Sequence, residues 1–221
     1  MKKLLTVVLL AAAGFAAWQY PSWNAARQQL VIAEERVDAV VADGTNALRL
    51  DDLPQLRRLP RNIGEAENLV YLYARGTNIG DISGIETLGQ LQQLDLNFTR
   101  ITDLGPLSGL PALRLIYMQG TWVEDLSPLV TLPSLEILDI GQTQLATLEP
   151  VTRIAPLRKI NFYKSYALDG SNAYYQTLVA QIPEISGGNS YRQNYRPGWQ
   201  YLATVRFSRL KDMLGLSNTD A

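Results

Sequence analysis

The chain has 221 residues, 47% of them apolar, and a formal charge of −1. That length holds one or two ordinary domains, and a charge so near zero leaves no electrostatic footprint for nucleic acid. It contains neither Cys nor His, which removes disulfides, thiol catalysis, thiolate metal sites and the commonest general base and metal ligand, so no catalytic residue, metal or cofactor is expected.

Met1-Lys2-Lys3 precede a run from Leu4 to Trp18 that is apolar or small except for Thr6. A basic start before an apolar run predicts an export signal, with Ala11 to Ala13 and Gly14 to Ala16 offering small residues for cleavage. Carried on to Tyr20 the run is about 17 residues, the lower limit for spanning a bilayer. Trp18, Tyr20 and Trp23 would then sit at the outer interface. Residues 1–20 are therefore read as a signal peptide or a membrane anchor, with inner-membrane association through residues 4–20; a buried helix is the plain alternative. Either of the first two readings places the chain after about residue 24 outside the cytoplasm, in the periplasm or at the cell surface, because the lysines stay inside.

Pro21-Ser22 ends this segment, and Ser22 or Asn24 can cap a helix through about Ala42, with Leu30, Val37, Val40 and Val41 on one side. Asp43-Gly44 stops it. Residues 21–44 are read as a capping helix over the open end of the domain that begins at residue 45.

From Leu69 one motif is written again and again with a period of twenty-two. Leu91, Leu94, Leu96, Thr99, Ile101, Asp103, Leu104, Pro106, Leu107 and Leu110 return as Leu113, Ile116, Met118, Thr121, Val123, Asp125, Leu126, Pro128, Leu129 and Leu132. They return once more as Leu135, Leu138, Ile140, Thr143, Leu145, Thr147, Leu148, Pro150, Val151 and Ile154. The copy before starts at Leu69 and continues through Leu72, Ala74, Thr77, Ile79, Asp81 and Ile82. A fixed period of this length predicts a solenoid.

The pattern resembles the leucine-rich repeat, in the twenty-two-residue form of internalin-like bacterial proteins. The resemblance covers residues 45–188, about six repeats with the best at 69–156. It implies an α/β solenoid of short parallel strands on a concave face, with helical caps at both ends. Residues 45–68 form a degenerate, longer first repeat, with Leu48 and Leu50 in its strand. The threonines at 77, 99, 121 and 143, and Ser165, stand where many such repeats carry Asn; a side chain there bonds backbone groups that leave the strand ladder. Pro106, Pro128 and Pro150 suit tight convex turns where no helix continues. All of these positions are structural.

After Leu157 the pattern changes. Ser171 can cap a helix over about 172–181 with Leu178 and Ile182 inward, and Ile185 reads as one more short strand. Residues 189–221 form a basic, aromatic tail whose periodicity fits a helix or a strand equally. It is either a second cap or an arm that touches lipid or a partner.

In this fold the residues between the inward leucines point to solvent and are the ones that can bind. The candidate partner-binding residues are Tyr71, Tyr73 and Arg75; Asp95, Asn97 and Phe98; Tyr117, Gln119 and Trp122; and Asp139, Lys159, Asn161 and Tyr163. A face that only holds water would be Lys, Glu, Ser and Thr, whereas aromatic side chains are the usual anchors of interfaces. The plain alternative is that tyrosine rings stack across strands and stiffen the sheet. Six strands at about 4.8 Å make a face roughly 25–30 Å across, enough for one side of a small interface. The expected function is non-enzymatic binding of a protein partner. The alternative is a membrane-tethered envelope protein that uses its tail. A third reading, glycan binding or hydrolysis, uses Asp95 and Asp139 two strands apart; against it, the face is shallow and no neighbour in sequence separates the two carboxyls.

Overall fold

The computed structural model describes residues 21–163, 165–167, 177–178 and 180–186. The signal or anchor read at 1–20 and the tail at 189–221 lie outside the described residues, as does much of the helix expected over 172–181. Of that helix, Thr177, Leu178, Ala180 and Gln181 are helical, and Leu178 and Ile182 are buried.

Among the described residues, helix α1 (Pro21–Asp43) is followed by nine short strands: β1 (Ala47–Arg49), β2 (Tyr71–Tyr73), β3 (Gln93–Asp95), β4 (Leu115–Tyr117), β5 (Ile137–Asp139), β6 (Gln144–Leu145), β7 (Lys159–Asn161), β8 (Tyr166–Ala167) and β9 (Glu184–Ser186). The main sheet runs β1-β2-β3-β4-β5-β7-β9, parallel throughout, and β6 pairs with β8 in a small second ladder. Leu72, Leu94, Ile116, Leu138 and Ile160 face one another in register. All five are buried, as are Ala74, Leu96, Met118, Ile140 and Phe162 behind them. Side chains alternate along a strand, so leucines two apart with a constant repeat length are enough to set this register. The longer first repeat pairs Leu48 with Leu72, and Ile185 extends the sheet by pairing with Ile160.

The convex side is a row of short 3-10 turns at Arg61–Glu65, Ile85–Thr87, Gly105–Leu107, Ser127–Thr131 and Glu149–Arg153. The repeated Asp, or Thr147, just before each of the last four supplies an oxygen to a backbone N–H. Ser83 N donates to Asp81 Oδ1 (2.9 Å), Gly105 N to Asp103 Oδ1 (2.7 Å), Ser127 N to Asp125 Oδ1 (2.8 Å) and Glu149 N to Thr147 Oγ1 (3.0 Å). Pro106, Pro128 and Pro150 occupy the opening of these turns. The structure thus places those prolines in the tight convex turns expected for them, and adds where in the turn they stand. They start a helical turn, where a fixed φ is pre-organised and the missing N–H costs nothing.

The buried threonines close the bend after each strand. Thr77, Thr99, Thr121 and Thr143 each donate from Oγ1 to the carbonyl three residues earlier, at 2.8, 2.7, 2.8 and 2.6 Å. Ser165 Oγ, at the next copy, donates to Ile140 O.

α1 covers the open end of β1. Ala33, Val37 and Val40, spaced by four and three, are buried. Val41 is 45% exposed, in contrast to the inward place expected for it; one further residue turns it about 100° away from that stripe. Polar clasps orient the helix. Arg36 holds Asp52 through both guanidinium nitrogens at 2.6 Å and donates to Arg49 O at 2.7 Å. Gln29 Oε1 accepts from Gln55 N (2.7 Å), and Asn62 Nδ2 donates to Glu34 O (3.0 Å) and Asp38 Oδ1 (2.7 Å). The Arg36 hydrogen bond holds the Asp52 carboxyl below its usual range. Arg36→Ala is expected to cost about 1 kcal/mol in a urea melt, a small value because exposed ion pairs are screened by solvent. The cost should shrink as pH falls through the depressed Asp52 pKa, since a lowered carboxyl pKa stabilises only while the group is ionised. Among the described residues no helix is long and apolar enough to cross a membrane.

Candidate functional site

Three columns of side chains stand on the concave face. One runs Tyr71, Gln93, Leu115, Ile137, Lys159; the next Tyr73, Asp95, Tyr117, Asp139, Asn161. The third follows each strand two residues later: Arg75, Asn97, Gln119, Gly141, Tyr163. Tyr71, Tyr73, Asp95, Tyr117, Gln119, Trp122, Asp139, Lys159 and Asn161 are half-buried, Arg75 is exposed, and Phe98 and Tyr163 are 42% and 46% exposed.

Asn97 departs from this. It is only 5% exposed, contrary to its expected place on the open face. The third column presents a row of backbone N–H groups, each needing an acceptor. Asp95 Oδ1 accepts from Asn97 N (3.0 Å), Asp139 Oδ1 from Gly141 N (3.0 Å) and Asn161 Oδ1 from Tyr163 N (3.1 Å). Between them stands Tyr117, whose side chain carries no oxygen near the backbone to do the same for Gln119. Asn97 reaches across from the neighbouring repeat instead and accepts from Gln119 N with Oδ1 at 2.7 Å. Asn97→Ala strands that N–H and is expected to destabilise by about 1–3 kcal/mol in chemical denaturation. A cost near zero would show that Asn97 is an ordinary face residue.

The aspartates of the middle column are thus partly committed to the backbone. Asp139 Oδ1 also accepts from Asn161 Nδ2 at 3.1 Å. Burial pushes the Asp95 carboxyl above its usual range, against the opposing pull of the Asn97 N–H and the Arg75 charge. Nothing in the sequence around Asp95 points to this shift. A raised carboxyl pKa gives a stability contribution that is full below the unfolded pKa and is lost as pH rises through the folded one. Asp95→Asn keeps the acceptor oxygen and removes the charge. It is expected to be as stable as the parent or more so at pH 7, with the difference vanishing as pH falls through the carboxylate range; a thermal-melt series across pH checks this. At the far edge Lys159 pairs with Glu184 of β9, and that hydrogen bond raises the Lys159 pKa.

Along the edge where the chain leaves the strands lies a feature only half-visible in the sequence. Arg49 lies over the Tyr73 ring at 4.6 Å, Arg75 over Phe98 at 5.1 Å and Arg100 over Trp122 at 5.6 Å. Each arginine covers an aromatic of the following repeat. Cation and ring attract through the ring quadrupole. Arg49 and Arg100 were not among the expected site residues; an arginine one repeat before an aromatic was the available signal.

Gly76 (φ +72°), Phe98 (+57°), Gly120 (+68°) and Gln142 (+56°) share one place in successive repeats, all in the left-handed region, and Phe98 is the bulkiest of them. Its ring lies over Gly120, where an added Cβ would fall 2.7 Å from Phe98 Cδ1. A bulky residue there is sterically costly. The two flanking glycines need no such account; the phenylalanine does.

Residues 67–109 match the family model for leucine-rich repeats, in two copies. Among solved structures, an internalin (inlF) from Listeria monocytogenes is similar at 18% identity and a TM-score of 0.52, over 64% of this chain and 46% of its own. Internalin C2 (inlC2) from the same organism is similar at 18% identity and a TM-score of 0.52, over 70% of this chain and 91% of its own. This chain therefore spans less than half the length of the first. No curated protein matches the chain. The fold is the leucine-rich-repeat solenoid of the bacterial internalins.

Proposed function

We propose that this leucine-rich-repeat solenoid is a non-enzymatic, exported module that binds a protein partner across its concave sheet and arginine–aromatic edge. One observation carries the reading: Phe98 stands in a left-handed conformation and still leaves 42% of its surface in solvent beside Arg75. Strain kept at an exposed aromatic is a mark of a site with work to do, and rings with arginines are the residues that anchor interfaces. The seven-stranded face spans roughly 30 Å at about 4.8 Å per strand, the scale of a small standard interface. Export rests on Lys2, Lys3 and the apolar run behind them. The glycan reading loses support because Asp95 and Asp139 each spend an oxygen on the backbone.

The test is site-specific photocrosslinking of the full chain in its own cell. A photoreactive residue at Gln93, on the face, is expected to give one discrete protein adduct. The same residue at Ser108, exposed on the convex side, is expected to give none. Adducts from Ser108 alone would place the contact on the other side and end this reading.

A further inference from the structure

We infer that the groove between α1 and the turn after β1 is a binding site for the headgroup of an anionic phospholipid. The groove encloses about 470 Å³, within the range of small-ligand pockets, about 300–1,000 Å³. Leu30 and Leu56 make its apolar floor, and Arg27, Arg57, Arg58 and Asp81 its polar rim. Three guanidiniums against one carboxylate leave two net positive charges at its mouth. The Asp81 carboxylate is already occupied, accepting from Ser83 N at 2.9 Å and Ser83 Oγ at 2.6 Å.

The arginines are held on fixed backbone. Gly80 N donates to Arg57 O at 2.9 Å, Leu59 N to Asp81 O at 3.1 Å, and Arg58 bridges Asp81 in parallel. Elsewhere Arg36, Arg49, Arg114 and Arg153 each pair with a carboxylate at close range, whereas among the described residues Arg27 and Arg57 do not, and Arg58 acts on Asp81 through its charge alone. Guanidiniums in excess of carboxylate around an apolar floor fit an amphiphile: a phosphate for the planar N–H forks and acyl or glycerol carbon for the leucines. A free inorganic ion would leave that floor wet.

Position selects a lipid as the source. Arg27 lies six residues after Pro21, the first described residue, or about 9 Å along the helix. The chain before Pro21 is the run read as a signal or anchor, so this choice of ligand rests on the anchor alternative within the export reading. A chain held in the bilayer by residues 4–20 would bring the groove to the level of the lipid phosphates.

The experiment uses the full chain in a neutral detergent, titrated calorimetrically with dihexanoyl phosphatidylglycerol, a lipid soluble as single molecules. Dihexanoyl phosphatidylcholine and inorganic phosphate are the comparison ligands. One phosphatidylglycerol is expected to bind per chain, with the choline lipid and free phosphate at least tenfold weaker. The combined Arg27→Gln, Arg57→Gln and Arg58→Gln variant should bind at least tenfold more weakly than the parent, and Arg153→Gln, on the convex side, should bind as the parent does. If the triple variant fails to fold, Arg57→Gln alone, at an exposed residue, should still weaken binding. Equal affinity for the choline lipid, equal affinity for inorganic phosphate, or undiminished binding by the arginine variants would overturn the assignment. An alkaline wash of membranes tests the anchor separately, because the short-chain lipid reaches the groove from solution whether or not residues 4–20 hold the chain in a bilayer.

Discussion

Ile116→Ala will cost about 2–5 kcal/mol of stability, the usual range for emptying a well-packed aliphatic site. Ile116 is fully buried on β4, in register with Leu94 on one side and Leu138 on the other. Each repeat of a solenoid is held only by its neighbours, so a cavity here weakens two junctions at once. A domain's whole stability is only about 5–15 kcal/mol. For a chain of this size, each kcal/mol shifts the melting temperature by roughly 2–4 °C, so a drop of about 4–20 °C is expected. Val31→Ala, on the outer side of α1 at 49% exposure, should change stability by less than about 0.5 kcal/mol. The urea midpoint should fall with an unchanged slope; a flatter or biphasic curve would mean that the two halves of the array have begun to melt apart. A cost under about 1 kcal/mol would mean that these aliphatic residues do not stack as described.

Phe98→Gly should weaken partner binding by about 30-fold or more, the scale of a hot-spot residue. Its effect on folding should be slight. Release of the left-handed strain returns about 1–2 kcal/mol. Against this stand the extra unfolded-state entropy of glycine, about 0.5–1 kcal/mol, and the lost Arg75 stacking, about 0.5–1 kcal/mol at an exposed site. These offset to within about 1 kcal/mol. Phe98→Ala loses the ring and keeps the strain, so it should be the less stable of the two variants by several tenths of a kcal/mol or more. Comparison of the two by thermal melting, and of both with the parent by titration against the crosslinked partner, separates a binding role from a structural one. If Gly proved much less stable than Ala, Phe98 would be holding the turn together, and its exposure would carry no functional meaning.

The strand register was legible because Leu72, Leu94, Ile116 and Leu138 recur at one spacing, and a parallel sheet has a single way to align them. The threonines were legible because they recur at one place in each copy, the place where repeats of this kind carry Asn. Asn97 was not, because its burial depends on what stands in the next repeat. Only the presence of Tyr117, where an Asp or Asn would have served Gln119, draws Asn97 inward. The Phe98 strain was likewise hidden: a left-handed φ shows in sequence when glycine occupies the position, and here glycines occupy only the flanking copies. Arg75 and Phe98 are offset from a whole repeat by one residue, so column alignment could not bring them together as it could Arg100 and Trp122.

The stacking of each guanidinium on the ring of its successor gives the array a polarity that its strands alone do not have. A cut at the end of one repeat leaves a bare cation; a cut at the start of the next leaves a bare ring. The three pairs do not share one place in the repeat: Arg49 faces its register partner Tyr73, Arg75 reaches Phe98, one residue past a whole repeat, and Arg100 reaches Trp122, a whole repeat on. Doubling the unit that carries Arg100 would therefore set cation against cation, so the present order of the repeats, and not their number alone, fixes how far this stacked edge can run.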